Sequence, residues 1–315
     1  MRVIETPQFG GPEVLQVVER PEPVAGPGQV RVRVEASTVN PADTAARAGY
    51  LTPAYPQVQP PFVAGWDFAG TLLDAAAGLP AGQRVAGLVP WLDTLRGTNA
   101  EVIAVDPAWL APVPDGVDPA EAASLGMNGQ AARQALDLVE ELAGSPLAAG
   151  RSLLVTGGSG AVGGFAVQLA AATGVQVIAV ASRGDEAYVS GLGAKEVVAR
   201  GDSTADLVAA VRALAPDGVD AALDAGVAGP ELLGAVRDGG AFVAVIVPAT
   251  PEPERGIRAG MVSVTPDGAT LAGLLEAHAA GQLRTRIERV PFADAAEAHR
   301  RAEAGGLHRK LVLTP

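Results

Sequence analysis

The chain has 315 residues, of which 48% are apolar, and its 35 acidic and 23 basic side chains give a formal net charge of −12. That charge argues against general binding to nucleic acid or acidic membranes, and no apolar run approaches the roughly 18 residues that span a bilayer. The absence of cysteine excludes disulfides, thiolate nucleophiles and cysteine-ligated zinc. The first residues lack the apolar core of a secretory signal, so we expect a cytoplasmic, metal-free protein of about two domains.

Residues 1–122 are predicted to be rich in β-structure. Segment 30–35 alternates apolar and polar side chains with a period of two, as a half-buried strand does. Further short strands are predicted at 69–73, 83–88 and 102–105, between clusters of Gly, Pro and Asp. Short strands spaced in this way indicate a small barrel or sandwich.

The pattern changes near Pro119, where helical segments begin to alternate with apolar strands. Helices are predicted at 120–125, 129–142, 162–173, 185–192, 204–214 and 230–237. Strands are predicted at 153–155, 175–180, 196–198, 221–223 and 242–247. Apolar strands joined by helical crossovers indicate a parallel sheet covered on both faces, and therefore the α/β class.

A glycine turn follows the first of these strands. Gly158, Gly160 and Gly163 form a G-x-G-x-x-G pattern between the strand at 153–155 and the helix at 162–173. Gly158 allows a tight turn, Gly160 lets the backbone approach a pyrophosphate, and Gly163 lets helix and strand pack closely. Because the N–H groups at a helix N-terminus bind phosphate, a dinucleotide site is predicted here. The turn residues assigned to it are Gly158, Ser159, Gly160, Ala161, Val162 and Gly163.

The end of the second strand indicates which dinucleotide binds. Proteins that bind NAD usually place Asp or Glu there, on the ribose 2′-hydroxyl, whereas this chain has Ser182 and Arg183. A hydroxyl and a fixed cation suit a 2′-phosphate, and one charge-assisted hydrogen bond of about 1.5–3 kcal/mol favours NADP by roughly 10- to 100-fold. NADPH is therefore the expected cofactor. The alternative is that Arg183 is an ordinary solvated side chain that does not bind the cofactor and forms an ion pair with Asp185 or Glu186.

The C-terminal part is predicted to rejoin the N-terminal domain. After Pro266 we expect a helix at 268–280, a strand at 287–290, a helix at 293–303 and a strand at 310–313. The predicted domains are 1–122, 123–267 and the return 268–315, with the active site in the cleft between domains. The segment Met261-Val262-Ser263-Val264 is predicted to be the edge strand of the parallel sheet. An uncovered edge invites pairing, so we expect a homodimer.

Four segments carry a family resemblance: VEASTVNPAD at 34–43, RAGY at 47–50, GWDFAG at 65–70 and RKLVL at 309–313. Together with the glycine turn they resemble the medium-chain dehydrogenase/reductase superfamily, in its zinc-free quinone oxidoreductase (zeta-crystallin-like) branch. The resemblance covers essentially the whole chain. It implies a GroES-like β-rich catalytic domain, a Rossmann NADP-binding domain and an NADP-dependent oxidoreductase.

Two positions depart from the pattern of that family. Gln130 stands where the family often has a Thr near the nicotinamide, and Arg200 stands where a Tyr commonly flanks the adenosine. A guanidinium also stacks on adenine, so Arg200 remains assigned to the cofactor. Val245, within the strand predicted at 242–247, is assigned to the cofactor as well.

The predicted chemistry depends on neutral hydrogen-bond donors. The candidates on segments expected to face the nicotinamide are Asn40, Tyr50, Asn128 and Gln130. Such donors suit hydride transfer to a quinone or an α,β-unsaturated carbonyl (enone), in which charge develops on a carbonyl oxygen, with Tyr50 or solvent supplying the proton. Asp43 and Asp67 are expected to be structural. The alternatives are a dedicated alkene reductase of a biosynthetic pathway, and a non-redox cyclase or binding protein that retains the cofactor.

Overall fold

The structure is a computed structural model that describes residues 1–75, 78–246 and 250–315. The chain divides into two compact units. Unit 1 comprises Met1–Gln130, Thr265–Gly281 and Thr285–Pro315, and unit 2 comprises Ala131–Val264 and Gln282–Arg284. Within the described residues, no helix has the length and apolar character needed to cross a membrane.

The secondary-structure elements are numbered in chain order. The strands are β1 (Arg2–Thr6), β2 (Gln16–Glu19), β3 (Val30–Thr38), β4 (Phe62–Val63), β5 (Asp67–Leu72), β6 (Arg84–Leu88), β7 (Val102–Val105), β8 (Leu110–Pro112), β9 (Ser152–Thr156), β10 (Gln176–Ala181), β11 (Glu196–Ala199), β12 (Val219–Asp224), β13 (Val236–Ala244), β14 (Arg258–Met261), β15 (Ile287–Pro291) and β16 (Lys310–Thr314). The α-helices are α1 (Pro41–Ala48), α2 (Trp91–Thr94), α3 (Pro119–Ala143), α4 (Ala161–Ala172), α5 (Glu186–Gly191), α6 (Thr204–Leu214), α7 (Gly268–Ala279) and α8 (Ala295–Ala304). Short 3-10 helices lie at Pro12–Val14, Pro107–Trp109, Pro230–Ala235 and Phe292–Asp294.

Unit 1 is built on two sheets. The larger has the strand order β15-β16-β3-β5-β6-β8, with β7 also paired to β3, and the smaller has the order β2-β1-β4. In β3 the side chains of Val30, Val32 and Val34 are buried, whereas Arg31 and Arg33 between them reach solvent. This is the period-two pattern that predicted the strand.

The C-terminal strands complete the larger sheet of unit 1. β15 runs parallel to β16, and β16 pairs antiparallel with β3, where Val312 lies opposite Thr38. Just beyond β3, the amide of Val39 donates to the carbonyl of Leu311 at 3.1 Å. The last strand described here, β16, is therefore part of the same sheet as β3.

Unit 2 contains a parallel sheet of six strands in the order β11-β10-β9-β12-β13-β14. The inner strand β9 lies between β10 and β12, and its residues Leu153, Leu154 and Val155 are all 0% exposed. A strand covered on both faces needs apolar side chains on both, which explains the unbroken apolar run. The predicted α/β class with a parallel Rossmann-type sheet is confirmed.

The prediction of two helices at 120–125 and 129–142 is wrong, because α3 is continuous across Gly126 and Gly129. Gly126 does not interrupt the helix; it allows a close contact. A Cβ at this position would lie 2.6 Å from the Cβ of Asp67 and 2.8 Å from the carbonyl oxygen of Gly87. Here tertiary packing overrides the low helix propensity of glycine.

Other boundaries also differ from the sequence predictions. The helix expected at 230–237 is a 3-10 helix over Pro230–Ala235, and β13 begins directly after it and ends at Ala244. Val247, the last residue of the strand predicted at 242–247, lies outside the described residues. Helix α1 and strands β1, β2, β4 and β8 were not predicted.

The edge strand of the parallel sheet is β14, not the segment at 261–264, so that prediction is wrong by three residues. Of the residues assigned to the strand, only Met261 belongs to it. Within the described residues, β14 pairs with β13 and has no strand on its other side. The physical reason for expecting a dimer therefore applies to β14.

We predict that two copies of the chain associate through β14 about a two-fold axis, and light scattering of the wild type should give the mass of a dimer. Met261 is 37% exposed, and Met261→Glu places repelling charges near such an axis, so this variant should shift toward monomer. Val24→Glu is the matched control, since Val24 is 88% exposed in unit 1. A monomer mass for the wild type across micromolar concentrations would contradict the prediction.

Candidate cofactor groove and polar cluster

The glycine turn of unit 2 joins β9 to α4 and has a well-defined geometry. Gly157 adopts φ +64°, the left-handed conformation, so the glycine that permits the tight turn is Gly157, not Gly158 as the sequence pattern suggested. The amide of Gly158 donates to the carbonyl of Val180 at 2.8 Å, and that of Gly160 donates to the carbonyl of Gly157 at 2.8 Å. The first bond joins the turn to β10, and the second stabilises the turn internally.

The remaining turn residues form the start of α4. A Cβ at Gly163 would lie 2.2 Å from the carbonyl oxygen of Gly157, so glycine is required for the helix to pack on the strand. Gly160 precedes the helix as its N-cap, and Ala161 and Val162 form its first residues. Ser159 accepts a hydrogen bond from the amide of Ser182 at 2.8 Å, which joins the turn to the end of β10.

A groove of about 180 Å³ opens beside this turn, at the carboxyl ends of β9 to β12. Its lining residues are Thr156, Gly157, Val180, Ala181, Ser182, Arg200, Gly201, Asp202, Ser203, Thr204, Leu207, Gly226, Val227 and Ala228. Ligands of open parallel sheets bind at this end of the strands. The structure thus brings Gly157 of the glycine turn, Ser182 and Arg200 together at one groove.

Of the residues assigned to the cofactor, Ser182 and Arg200 line the groove, and the others, Arg183 and Val245 among them, lie outside its lining. The side chain of Arg183 is 75% exposed, and its guanidinium is 3.9 Å from the carboxylate of Asp202, which is itself 97% exposed. A contact this exposed contributes little, so Arg183 is able to exchange Asp202 for another anion. Val245 follows β13, where its amide donates to the carbonyl of Asp224 at 3.3 Å.

Unit 1 contains a polar cluster centred on Asn40, which is 2% exposed. The side-chain nitrogen Nδ2 of Asn40 donates to Thr38 Oγ1 at 3.2 Å and to Asp67 Oδ1 at 3.3 Å. Its Oδ1 accepts from Lys310 Nζ at 2.5 Å and from Asn128 Nδ2 at 3.4 Å. Both amide hydrogens of Asn40 therefore have protein acceptors in this arrangement.

The other predicted donors differ in how far they are engaged. Gln130 is fully buried; its Nε2 donates to the carbonyl of Gly126 at 3.0 Å and its Oε1 accepts from the amide of Asp267 at 2.8 Å. Asn128 makes only long bonds, of 3.4 Å to Asn40 and 3.3 Å to the carbonyl of Ser124. Tyr50 is 79% exposed and lies outside this network. The structure brings Asn40 and Asn128 together, and it leaves Tyr50 apart from them.

Charged side chains surround Asn40. The carboxylate of Asp43 accepts from the backbone amide of Asn40 at 2.8 Å. The carboxylate of Asp67 accepts from the hydroxyl of Thr38 at 2.8 Å and from the backbone amide of Met127 at 3.2 Å. Burial raises the pKa of Asp43 to about 7, and repulsion from Asp67 adds to the rise against the opposing effect of Lys310.

Lys310 supplies the positive charge of the cluster. Burial raises the pKa of Asp67 and lowers the pKa of Lys310, while the attraction between the two acts against both shifts. Sequence analysis missed Lys310 as a member of this site. The available signal was a lysine directly beside the apolar run Leu311–Leu313 of the final strand.

Comparisons with known proteins agree with this architecture. Residues 26–115 match the family model of the alcohol dehydrogenase GroES-like domain, and residues 192–313 match that of the zinc-binding dehydrogenases. The chain belongs to the medium-chain dehydrogenase/reductase superfamily, in its quinone-oxidoreductase-like branch. The GroES-like fold expected for the β-rich part is confirmed.

Three relatives in this superfamily show what the chain is similar to. A quinone oxidoreductase from Coxiella burnetii superposes with a TM-score of 0.89 at 26% identity, over 100% of this chain and 99% of that one. A mycobacterial protein complexed with NADPH superposes with a TM-score of 0.84 at 28% identity, over 100% of both chains. A trans-enoyl reductase from Aspergillus japonicus is 34% identical over 58% of this chain and 55% of its own length. The matched stretch spans about half the length of the curated relatives.

The residues of this superfamily member do not fit a zinc site, although one matching model is described as zinc-binding. The sequence contains no cysteine. In the part of the chain that the structure describes, no group of three or more His, Asp or Glu side chains is placed to hold a metal ion. The polar cluster around Asn40 is filled by Lys310 and hydrogen bonds instead.

The raised pKa of Asp43 predicts how stability depends on pH. Because the folded state holds this proton more tightly than the unfolded state, stability should fall as pH rises from 3.8 toward about 7. Asp43→Asn removes the titrating group and keeps an acceptor for the Asn40 amide, so its melting temperature should fall less over that range.

The measurement is thermal melting of the wild type, of Asp43→Asn and of a control, Asp115→Asn, between pH 4.5 and 8. Asp115 is exposed. Burial lowers the pKa of His299 to about 4, which acts in the opposite direction on stability but equally in every variant. Parallel curves for wild type and Asp43→Asn would contradict the assignment.

Proposed function

We propose that this protein is an NADPH-dependent, metal-free reductase that transfers hydride to a quinone or an enone. The observation that carries the proposal is the groove of unit 2, which brings Gly157, Ser182 and Arg200 together beside the turn that leads into α4. The superfamily membership and the NADPH bound by a structural neighbour support it. Bound NADPH supplies the hydride, and the residues of the chain bind it and polarise the substrate.

The preference for NADPH over NADH is assigned to the ends of β10 and β11. Ser182 and Arg200 line the groove, and the exposed Arg183 stands beside Asp202. Two guanidinium groups against one carboxylate leave a positive balance there, which favours a 2′-phosphate. The end of β10 itself carries no carboxylate to accept a bond from a ribose 2′-hydroxyl.

The substrate donors are assigned to unit 1. Both hydrogens of the Asn40 side-chain amide have protein acceptors, so we assign Asn40 to organising the cluster rather than to donating to the substrate. Asn128 makes two long bonds that a substrate oxygen can replace, and the Tyr50 hydroxyl is exposed. Neutral donors of this kind stabilise the oxygen of a developing enolate or quinol. They are poor at activating an unconjugated alcohol, which normally needs a base or a metal.

A dedicated alkene reductase is the second candidate. It is favoured by the similarity to a trans-enoyl reductase. Its chemistry is the same conjugate reduction, so the two candidates differ only in how narrow the range of accepted enones is.

The cofactor assignment predicts that Arg183→Ala weakens NADPH binding by about 10- to 100-fold, the size of one charge-assisted contact, while hardly changing NADH binding. Arg200→Ala removes a guanidinium assigned to the adenine, which both cofactors share, so it should weaken both. Calorimetric titration with both cofactors measures this. Arg133→Ala, on α3 in unit 2 and paired with Asp137, is a control that should leave both affinities unchanged. Equal losses for NADPH and NADH in Arg183→Ala would show that Arg183 does not bind the 2′-phosphate.

The reaction class predicts NADPH oxidation, followed by its absorbance, with a panel of quinones and enones, and negligible oxidation of simple alcohols with NADP. Because the residues do not fit a metal site, a chelator should leave the rate unchanged. Turnover of one enone alone would favour the dedicated alkene reductase. Tight NADPH binding without turnover of any quinone or enone would contradict the proposal and favour the non-redox alternative.

A further inference from the structure

Unit 1 contains a cavity that is separate from both the groove of unit 2 and the polar cluster around Asn40. Its volume is about 450 Å³, against about 180 Å³ for the groove, and the two share no lining residue. Its walls come from β1, β4, β7, the segment 95–97 and the stretch between β2 and β3. Cavities that hold small molecules have volumes of roughly 300–1,000 Å³, so this one is large enough for such a ligand.

The walls of the cavity are mainly apolar. Val3 of β1, Phe62 of β4 and Val105 of β7 line it, and each is at most 6% exposed. Contacts from behind hold these walls in place. Trp91 Nε1 donates to the carbonyl of Val63 at 2.8 Å, and the ring of Trp91 lies 5.3 Å from that of Phe62. The cavity therefore offers a fixed apolar surface to a ligand.

Three charged residues also line the cavity: Glu5, Arg20 and Arg96. Arg20 Nη2 donates to both carboxylate oxygens of Glu5, at 2.8 and 2.6 Å, so these two charges compensate each other. Within the residues that the structure describes, the guanidinium of Arg96 has no ion-pair or hydrogen-bond partner. One uncompensated positive charge thus stands beside an apolar cavity, in a chain whose net charge is −12.

The backbone next to Arg96 is held in a disfavoured conformation. Leu95 has φ +52°, which side chains rarely adopt, and its amide donates to the carbonyl of Trp91 at 2.7 Å. The next residue, Arg96, forms an isolated β-bridge with Val63, which keeps it at the cavity wall. Strained residues that the surrounding structure holds in place occur preferentially at ligand sites.

We propose that this cavity binds a small carboxylate with an apolar body, such as a medium-chain fatty acid, and that the carboxylate pairs with Arg96. The inference goes beyond the proposed function and does not rest on it. The apolar body would be buried against Val3, Phe62 and Val105. The guanidinium of Arg96 offers parallel N–H donors that match the two oxygens of a carboxylate. An inorganic anion gains nothing from the apolar walls, and an alcohol gains nothing from the charge.

Calorimetric titration of the full chain with octanoate, below the concentration at which it forms micelles, tests the proposal. Octanol and octylammonium carry the same apolar chain with no charge and with the opposite charge. Octanoate should bind about 10-fold or more tightly than octanol, the size of one charge-assisted contact. Octylammonium should bind more weakly than either, because it meets the charge of Arg96.

Two variants and a control locate the ligand. Arg96→Gln removes the charge, so it should weaken octanoate by about 10- to 100-fold and leave octanol unchanged. Ala104 is half-buried and lines the cavity, so the ring in Ala104→Phe should weaken octanoate and octanol alike. Arg300→Gln is the matched control, since Arg300 is an exposed arginine of unit 1 outside the cavity lining and should leave both affinities unchanged. Thermal melting shows whether each variant folds.

Four outcomes would overturn the proposal. A wild type that binds no octanoate would do so, and so would equal affinities for octanoate and octanol, because the carboxylate would then have no partner. An octanoate affinity that falls as much in Arg300→Gln as in Arg96→Gln would show attraction to the overall charge alone. An Ala104→Phe variant that melts like the wild type and binds octanoate equally well would show that the ligand does not occupy this cavity.

Discussion

The hydrogen bond between Lys310 Nζ and Asn40 Oδ1 is the interaction on which unit 1 depends. It joins residues 270 positions apart in the chain, at the junction of the final strand, the end of β3 and the start of α1. An ammonium group is costly to bury, and Asp43 and Asp67 offset that cost by their charge. The Asn40 side chain also forms hydrogen bonds with Thr38, Asp67 and Asn128. Removal of the Lys310 charge would leave the two carboxylates buried without a cation.

Unit 2 depends on a different constraint, the close approach of backbone to backbone. Gly163 packs on Gly157, and Gly226 packs on the same residue from the loop after β12. Side chains would separate these segments by more than the hydrogen bonds of Thr156 and Asp224 can span. One unit is therefore organised by buried charge and the other by the absence of side chains. In both, long-range polar contacts hold the segments that carry the candidate site residues.

The sequence was informative where one local pattern dictates structure. The sequence predicted β3 because a strand buried on one face alternates apolar and polar side chains. It predicted β9 and β10 because a strand buried on both faces has an unbroken apolar run. The glycine pattern located the turn, and a resemblance between short segments located the GroES-like part. The edge strand was misplaced because the apolar run continues past Met261 after the ladder with β13 ends at that residue.

The site was less accessible to sequence reasoning because its members meet only through tertiary contacts. The sequence around Lys310 does not indicate that two buried carboxylates lie beside it. The sequence around Gln130 does not indicate that its Oε1 accepts a hydrogen bond from the backbone amide of Asp267. Tyr50 and Asn40 lie ten positions apart, yet one is exposed and the other buried. The left-handed conformation of Leu95 was also hidden, because leucine is not a residue type from which a positive φ would be inferred.

The return of β16 to β3 has a consequence for biosynthesis. During translation the N-terminal sheet lacks its partner strand until β16 emerges, 270 positions after Asn40. At a synthesis rate of roughly 5–20 residues per second, that interval lasts on the order of ten seconds or more. The residues of unit 2 between Ala131 and Val264 all leave the ribosome within it. The later unit along the chain can therefore reach its native sheet first, while the end of the β3 edge that β16 covers, at Ser37 and Thr38, stays unpaired.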